Sequence, residues 1–316
     1  MIIIGHQKII KFLERSIANN SLVHSYLFVG PSHIGKTLIA KTMAMSLISQ
    51  EKPCFKCLFK SDIKEKFHPD IIEVKQLLKK EKIGIDQIRE LKGKLALTPF
   101  SGRYKIAIIE EAERLTDEAA NSFLKLLEET SKKSIIILIT NNLKAILSTV
   151  RSRCQILRFS LPCEQETERY LIDECQLSSE KAKKFYALSL GRPGLALRYL
   201  EEKETLESVK KEASNFIDFL ESLEDFNLRF ELTRRLDIEI LSIWLQVVRD
   251  LILVQLNLPS SNLLPEEKFR VVLQKYPLNK LMEMVRNIKE TIFYLSRNVN
   301  HVLATGNLII SFLIFK

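Results

Sequence analysis

Residues 30 to 37 read GPSHIGKT, and their types and spacing suit one chemistry. Gly30, four residues, then Gly35, Lys36 and Thr37 is the pattern of a phosphate-binding loop. Glycines there let backbone N–H groups turn inward around phosphate oxygens. The lysine reaches the β- and γ-phosphates, and the hydroxyl holds Mg²⁺. Lys36 and Thr37 are the candidates for those roles, with Pro31, Ser32, His33 and Ile34 completing the cradle. The ligand such a pattern suits is ATP or ADP with Mg²⁺.

A second group follows in KIAIIEEAERL, residues 105 to 115. The apolar run Ile106 to Ile109 ends in Glu110 and Glu111. One carboxylate at the end of a buried strand can organise Mg²⁺ through water, and another can orient or deprotonate an attacking water. Alone, the pattern is equally a strand end with a charged turn. A phosphate loop about 75 residues upstream favours the chemical reading. The run IIILITNN ends in Thr140, Asn141 and Asn142, and Asn141 is a candidate for bonding the γ-phosphate or the attacking water. By itself TNN is turn chemistry. RSRC, residues 151 to 154, carries two arginines. An exposed arginine there can reach a neighbouring subunit's γ-phosphate, or it is simply a surface residue.

The elements that must hold these groups are legible in the hydrophobic pattern. HSYLFVG reads as a buried strand entering the loop, and KTLIAKTMAMSLIS as a helix leaving it. Ile39, Met43 and Leu47 fall on one face of that helix. Strand, glycine turn and helix place phosphate at a helix N-terminus, where free N–H groups favour anions. Further strands are expected at IIEV, KIAII, IIILIT and QILRF, alternating with helices. Residues 1–160 therefore read as an α/β domain with a parallel sheet. Strands stop after Pro162. Residues 161–204 read as short helices punctuated by GRPG, and 205–316 as long amphipathic helices broken near NLPSSNLLP.

Composition narrows the class. The chain has 316 residues, 46% hydrophobic and 28% charged, normal for a globular protein with a sizeable core. MIIIGHQKII lacks the charged start and cleavage site of a secretory signal. The apolar stretch 238–258 is interrupted by Glu239, Arg249 and Asp250, so no membrane span is expected. Five cysteines without a framework fit a reducing cytoplasm. The net charge of +9 is uneven. Residues 1–160 hold 27 Lys+Arg against 16 Asp+Glu, a net of +11; the remainder hold 21 against 23, a net of −2. A basic face on the loop-bearing part suits a polyanion such as nucleic acid, and equally a lysine-rich solvated surface.

HSYLFVGPSHIGKT, EEAERLTDEAANSFLKLLEE and STVRSRCQILRF, in that order, resemble the clamp-loader branch of the AAA+ ATPases. The likeness runs nearly the whole length and is strongest to delta prime-type subunits of bacterial DNA polymerase III, with gamma/tau-type subunits next. GRPGLAL is similar to the family's lid segment; WLQVVRDLIL and NVNHVLATGNLIISFL are similar to its collar helices. The resemblance implies an AAA+ P-loop domain at 1–160, a small helical lid at 161–204 and an all-α collar at 205–316. It also implies a cytoplasmic, nucleoid-associated hetero-oligomer with gamma/tau and delta subunits. That ring uses ATP to load a sliding clamp onto primer-template DNA, gripped through backbone contacts. It implies that Arg153 of SRC acts in trans on a neighbour's ATP. A gamma/tau-like ATPase of the same loader and a free-standing P-loop ATPase of DNA repair are the alternatives.

Three departures from the family pattern stand out. The first acid after the strand is usually Asp, and here it is Glu110, whose extra methylene moves the carboxylate outward from a Mg²⁺ that wants near-ideal geometry. A lid arginine of some relatives falls at Gly194, with Arg192 nearby. Nucleotide binding with weak or no hydrolysis by the chain alone is the expectation. Many relatives carry four cysteines after the loop helix, whereas this chain keeps Cys54 and Cys57 only. A structural zinc wants four sulfur or nitrogen ligands, so Cys54 and Cys57 are zinc candidates without a complete site.

Overall fold

The computed structural model describes residues 3–48, 68–76, 82–100, 103–129, 133–261, 263–295 and 299–314. The chain divides into two compact units. One comprises Met1–Gln176 with Gly191–Leu195; the other comprises Leu177–Leu190 with Ala196–Lys316.

The first unit runs α1 (Gln7–Ala18), β1 (Ser25–Val29), α2 (Lys36–Ile48), β2 (Ile71–Val74), α3 (Ile85–Ala96), β3 (Lys105–Ile109), α4 (Asp117–Glu129), β4 (Ser134–Thr140), α5 (Ser148–Arg151), β5 (Gln155–Arg158) and α6 (Glu164–Asp173). Its strands form one parallel sheet in the order β2-β3-β4-β1-β5. SYLFV, KIAII and SIIILIT are buried along their whole length. Such near-continuous apolar runs belong to strands covered on both faces.

Side chains alternate across a strand, so each strand feeds two cores. Leu27, Ala107, Ile109, Ile136 and Leu138 meet Ile88 and Leu91 of α3 and Phe123 and Leu127 of α4. Tyr26, Phe28, Ile106, Ile108 and Ile137 meet Leu13 of α1 and Ile39, Met43 and Leu47 of α2. The stripe expected on α2 is therefore in the core. The helix is also buried at Thr42 and Ser46, whose hydroxyls donate to the carbonyls of Leu38 and Thr42 one turn back. That local bonding lets polar residues sit on the buried face of the helix.

β1 lies between β4 and β5, while the next strand in the chain, β2, sits at the far edge. The loops after β1, β3 and β4 thus share the carboxyl edge of the sheet, where open α/β sheets bind ligands.

The second unit is helical. It holds α7 (Ser179–Leu188), most of α8 (Pro193–Glu201), α9 (Lys203–Glu221), α10 (Phe226–Arg235), α11 (Ile238–Gln255), α12 (Glu266–Lys275), α13 (Leu278–Leu295) and α14 (His301–Ile314). Trp244 of α11 is completely buried, stacked on Phe216 at 4.3 Å and Phe219 at 5.6 Å, with Phe312 at 6.3 Å. Asp237 and Asp225 cap α11 and α10 by accepting backbone N–H bonds. Buried Asp250 accepts both the N–H and the hydroxyl of Ser261; burial raises its pKa and those bonds oppose the rise. Among the described residues no helix is long and apolar enough to cross a membrane.

Phe28 carries the central ring of the α1/α2 face and lies 5.0 Å from the ring of Phe159. Phe28→Ala should lower unfolding stability by about 3–5 kcal/mol in urea titration. A loss below about 1 kcal/mol would show that this face is not the packed core described.

Candidate phosphate-binding site

β1 ends at Val29 and the chain turns at Gly30, whose N–H donates to Thr140 O at 3.2 Å. β5 crowds the turn from the other side. A Cβ on Gly30 would lie 2.4 Å from Phe159 O, so only glycine lets the backbone pass. His33 and Gly35 take left-handed φ values of 62° and 97°. Ile34 is buried beneath the loop, and the N–H of His6 donates to its carbonyl at 2.9 Å. Burial depresses the His6 pKa, which favours the neutral ring making this bond.

Segment 191–195 holds the loop at its tip. Gly194 N–H donates to His33 O at 2.8 Å. A Cβ on Gly194 would lie 2.8 Å from that oxygen, so the two backbones touch. Arg192, half-buried, lies on the same segment.

Lys36 opens α2 and is only 6% exposed. Its ammonium donates to Gly30 O at 2.6 Å and Pro31 O at 2.5 Å. Burial pulls its pKa down to about 8; the charge of Glu113 opposes that shift and the charge of Arg192 adds to it. Thr37 follows on the first turn, half-buried. At the tip of β4, the Asn141 side-chain amide approaches Ser32 Oγ at 3.4 Å, linking strand and loop.

The three acids after β3 diverge. β2 pairs with β3 so that Val74 stands beside Ile109, and this register brings Lys75 to Glu110. Lys75 Nζ lies 3.0 Å from Glu110 Oε1 and 3.0 Å from Glu73, while Lys41 lies 2.6 Å from Glu73. The Glu110 contact is an ion pair off hydrogen-bond geometry, since Oε1 is buried without a hydrogen-bond partner. Burial alone would lower the Lys75 pKa, but Glu110 and Glu73 together raise it. Glu111 has φ 50° and faces outward to Arg114 at 2.9 Å. Glu113 lies in a 3-10 turn, Ala112–Arg114, with Oε2 buried and without a hydrogen bond.

Arg153 sits between α5 and β5. It reaches Glu128 of α4 at 2.7 Å and Thr149 O at 3.2 Å, and is 41% exposed at its side chain. Its own carbonyl accepts from Ser25 Oγ at 2.6 Å, which fixes the turn to β1. Burial pushes the neighbouring Cys154 thiol up to about 11, so it is unreactive at neutral pH. Cys54 and Cys57 lie outside the described residues.

The structure thus brings the loop, Ser32 and Asn141 together. It shows Lys75, Glu113 and Arg192 as partners that sequence reading left out or left unassigned. Their signal was weak: a lysine just after a short strand, a third acid in EEAER, and an arginine in GRPG. The cradle fits a phosphate group. The Glu110 carboxylate predicted to face Mg²⁺ is engaged by an ammonium.

A five-stranded parallel sheet with this strand order and a glycine-lysine-threonine loop after β1 defines a P-loop NTPase domain of the AAA+ class. The family described as DNA polymerase III, delta subunit, matches residues 5–162, half of the chain, and the chain belongs to it. It is 31% identical over 182 residues to the delta prime subunit of Haemophilus influenzae, covering 57% of this chain and 55% of that one. It is 34% identical to the delta prime subunit of Bacillus subtilis, covering 53% and 51%. To the tau subunit of Bacillus subtilis it is 33% identical, covering 50% and 28%. The matched region thus spans about half the length of the delta prime relatives.

The Lys36 pKa yields a pH prediction. A protonated ammonium attracts phosphate and a neutral amine does not. Affinity for a polyphosphate should therefore hold below pH 8 and fall by up to about tenfold per unit above it. A lysine of ordinary basicity would hold its affinity to about pH 10. Isothermal titration between pH 7 and 9.5 distinguishes the two.

Proposed function

We propose that this chain is a delta prime-like subunit of a DNA polymerase III clamp loader. It binds ATP or ADP with Mg²⁺ at Gly30–Thr37 and presents Arg153 to a neighbouring subunit's ATP. The observation that carries the reading is the cradle: glycine turns at Gly30 and Gly35 around a buried Lys36, inside a domain of this family. Thr37 is the residue that would hold Mg²⁺, a cation that neutralises phosphate charge. Asn141 is the candidate for the water side of the site, and Glu111 takes that part only by leaving its outward ion pair with Arg114. Glu110 starts from an ion pair with Lys75, which fits weak or absent turnover by the chain alone.

Arg153 supports the second half of the reading. Its ion pair with Glu128 is exposed on both sides. Such a pair is worth about 0–1 kcal/mol, so a stronger anion can take the guanidinium. The partners proposed are gamma/tau and delta subunits, a sliding clamp, and primer-template DNA met through its phosphates. We assign the AAA+ domain to 1–160, a lid to 161–204 and a collar to 205–316, and place the protein in the cytoplasm at the nucleoid.

Two measurements test the proposal. The wild-type chain should bind MgATP saturably, and Lys36→Ala should weaken binding at least about tenfold. In a ring reconstituted with gamma/tau-type and delta-type subunits, Arg153→Ala should lower ATP turnover by about 10³-fold, as loss of an arginine finger does. Unchanged turnover in that ring would remove the trans role. A self-sufficient homohexamer on a sizing column would overturn the loader reading itself.

A further inference from the structure

Four charged side chains run in contact from the loop helix to the end of β3. Lys41 of α2 lies 2.6 Å from Glu73 of β2, Glu73 lies 3.0 Å from Lys75, and Lys75 lies 3.0 Å from Glu110. The sheet dictates that order. Glu73 stands beside Ile108, whose side chain lies in the core shared with α2, so Glu73 meets that helix. Glu110 N–H donates to Val74 O at 3.0 Å. That bond carries the pairing of β2 with β3 one residue past the strand and sets Glu110 beside Lys75. One ammonium thus serves two carboxylates. Its hold on Glu110 is one of charge, because the buried Oε1 accepts no hydrogen bond. A divalent cation placed on that carboxylate would stand against a like-charged ammonium, and at such separations the repulsion is strong. The Glu110 end of the site therefore does not fit Mg²⁺ while Lys75 stays where it is.

We propose that Lys75 is a tethered cation that fills the place a divalent cation would need at Glu110, and that this one lysine keeps the acid out of metal binding. Lys75 is a positioning residue, acting only through the carboxylate it holds. The inference rests on the nucleotide reading above and deepens it. The weakness of the acid end lies in its partner and not only in the longer side chain of Glu110, so one substitution on β2's far end reverses it. Until then a metal at the loop depends on Thr37 and the phosphates.

The test uses the full chain saturated with ADP and Mn²⁺ as the metal probe, with free Mn²⁺ counted by electron paramagnetic resonance. Lys75→Met removes the ammonium at a half-exposed position. It should tighten Mn²⁺ by about tenfold, the scale on which a metal site responds to its supporting groups. Adding Glu110→Gln to Lys75→Met should abolish that gain, since the two residues act as a coupled pair. Lys75→Arg keeps the charge and should hold Mn²⁺ as weakly as the wild type. ADP binding in EDTA should persist in every variant, which shows the fold intact. No gain in Lys75→Met, or an equal gain in Lys75→Arg, would overturn the inference while leaving the nucleotide reading intact. A gain that survives Glu110→Gln would be general charge, and the inference would fall. No binding of ADP by the wild type, with or without Mn²⁺, would overturn both readings.

Discussion

The ammonium of Lys36 rests on two carbonyls of its own loop, and the surrounding structure is organised by that contact. A buried cation is costly unless hydrogen-bonded and balanced. The loop supplies the bonds because Gly30 and Gly35 let the backbone fold over the side chain. Ile34 and His6 hold the loop from beneath, and Gly194 holds it at the tip. The result is a cation kept in place before any ligand arrives. Preorganisation of that kind lowers the ordering cost of binding.

The sheet makes this arrangement possible by separating two tasks. Its middle strands are anchored on both faces, so their carboxyl ends are fixed points. From those points β1 delivers the loop, β3 the acids and β4 Asn141. β5 has a different duty. Phe159, just after it, lies against Gly30, and Arg153, just before it, accepts from Ser25 through its carbonyl, which ties the arginine turn to the strand that carries the loop. A shift of the loop strand is therefore coupled by covalent and hydrogen-bonded connections to the arginine. The two ends of the domain's chemistry share one rigid element.

Much of this was legible in the sequence, for physical reasons. The strands announced themselves because a sheet covered on both faces demands unbroken apolar runs. The loop announced itself because glycine spacing is dictated by where backbone must approach phosphate. The acids were not legible to the same degree. Glu110 and Glu111 are adjacent in sequence, yet φ 50° at Glu111 sends its side chain outward, and composition says nothing of that angle. Lys75 was missed because its role depends on the pairing of β2 with β3, a long-range register that no local pattern encodes. Arg192 was noticed only as a neighbour of Gly194, since its relation to Lys36 depends on a contact between segments about 160 residues apart. Cys54 and Cys57 fall outside the described residues.

Gly194 shows how one local constraint redirects a site. The family resemblance places an arginine of some relatives at this position, reaching for the terminal phosphate. Here the backbone of 194 touches the backbone of His33, and any side chain would meet His33 O at 2.8 Å. The contact is made by carbonyl and amide, not by a flexible side chain, so it cannot yield without moving the loop. At this position the chain has a backbone clamp on the loop and no side chain. A loop held this way can recognise phosphate but has less freedom to report on its length. Arg192 keeps a positive charge on the segment while leaving the clamp intact, because it lies before the tight contact and not within it. The loop is thus held in one shape from the 191–195 segment by a backbone contact that no side-chain rearrangement can release.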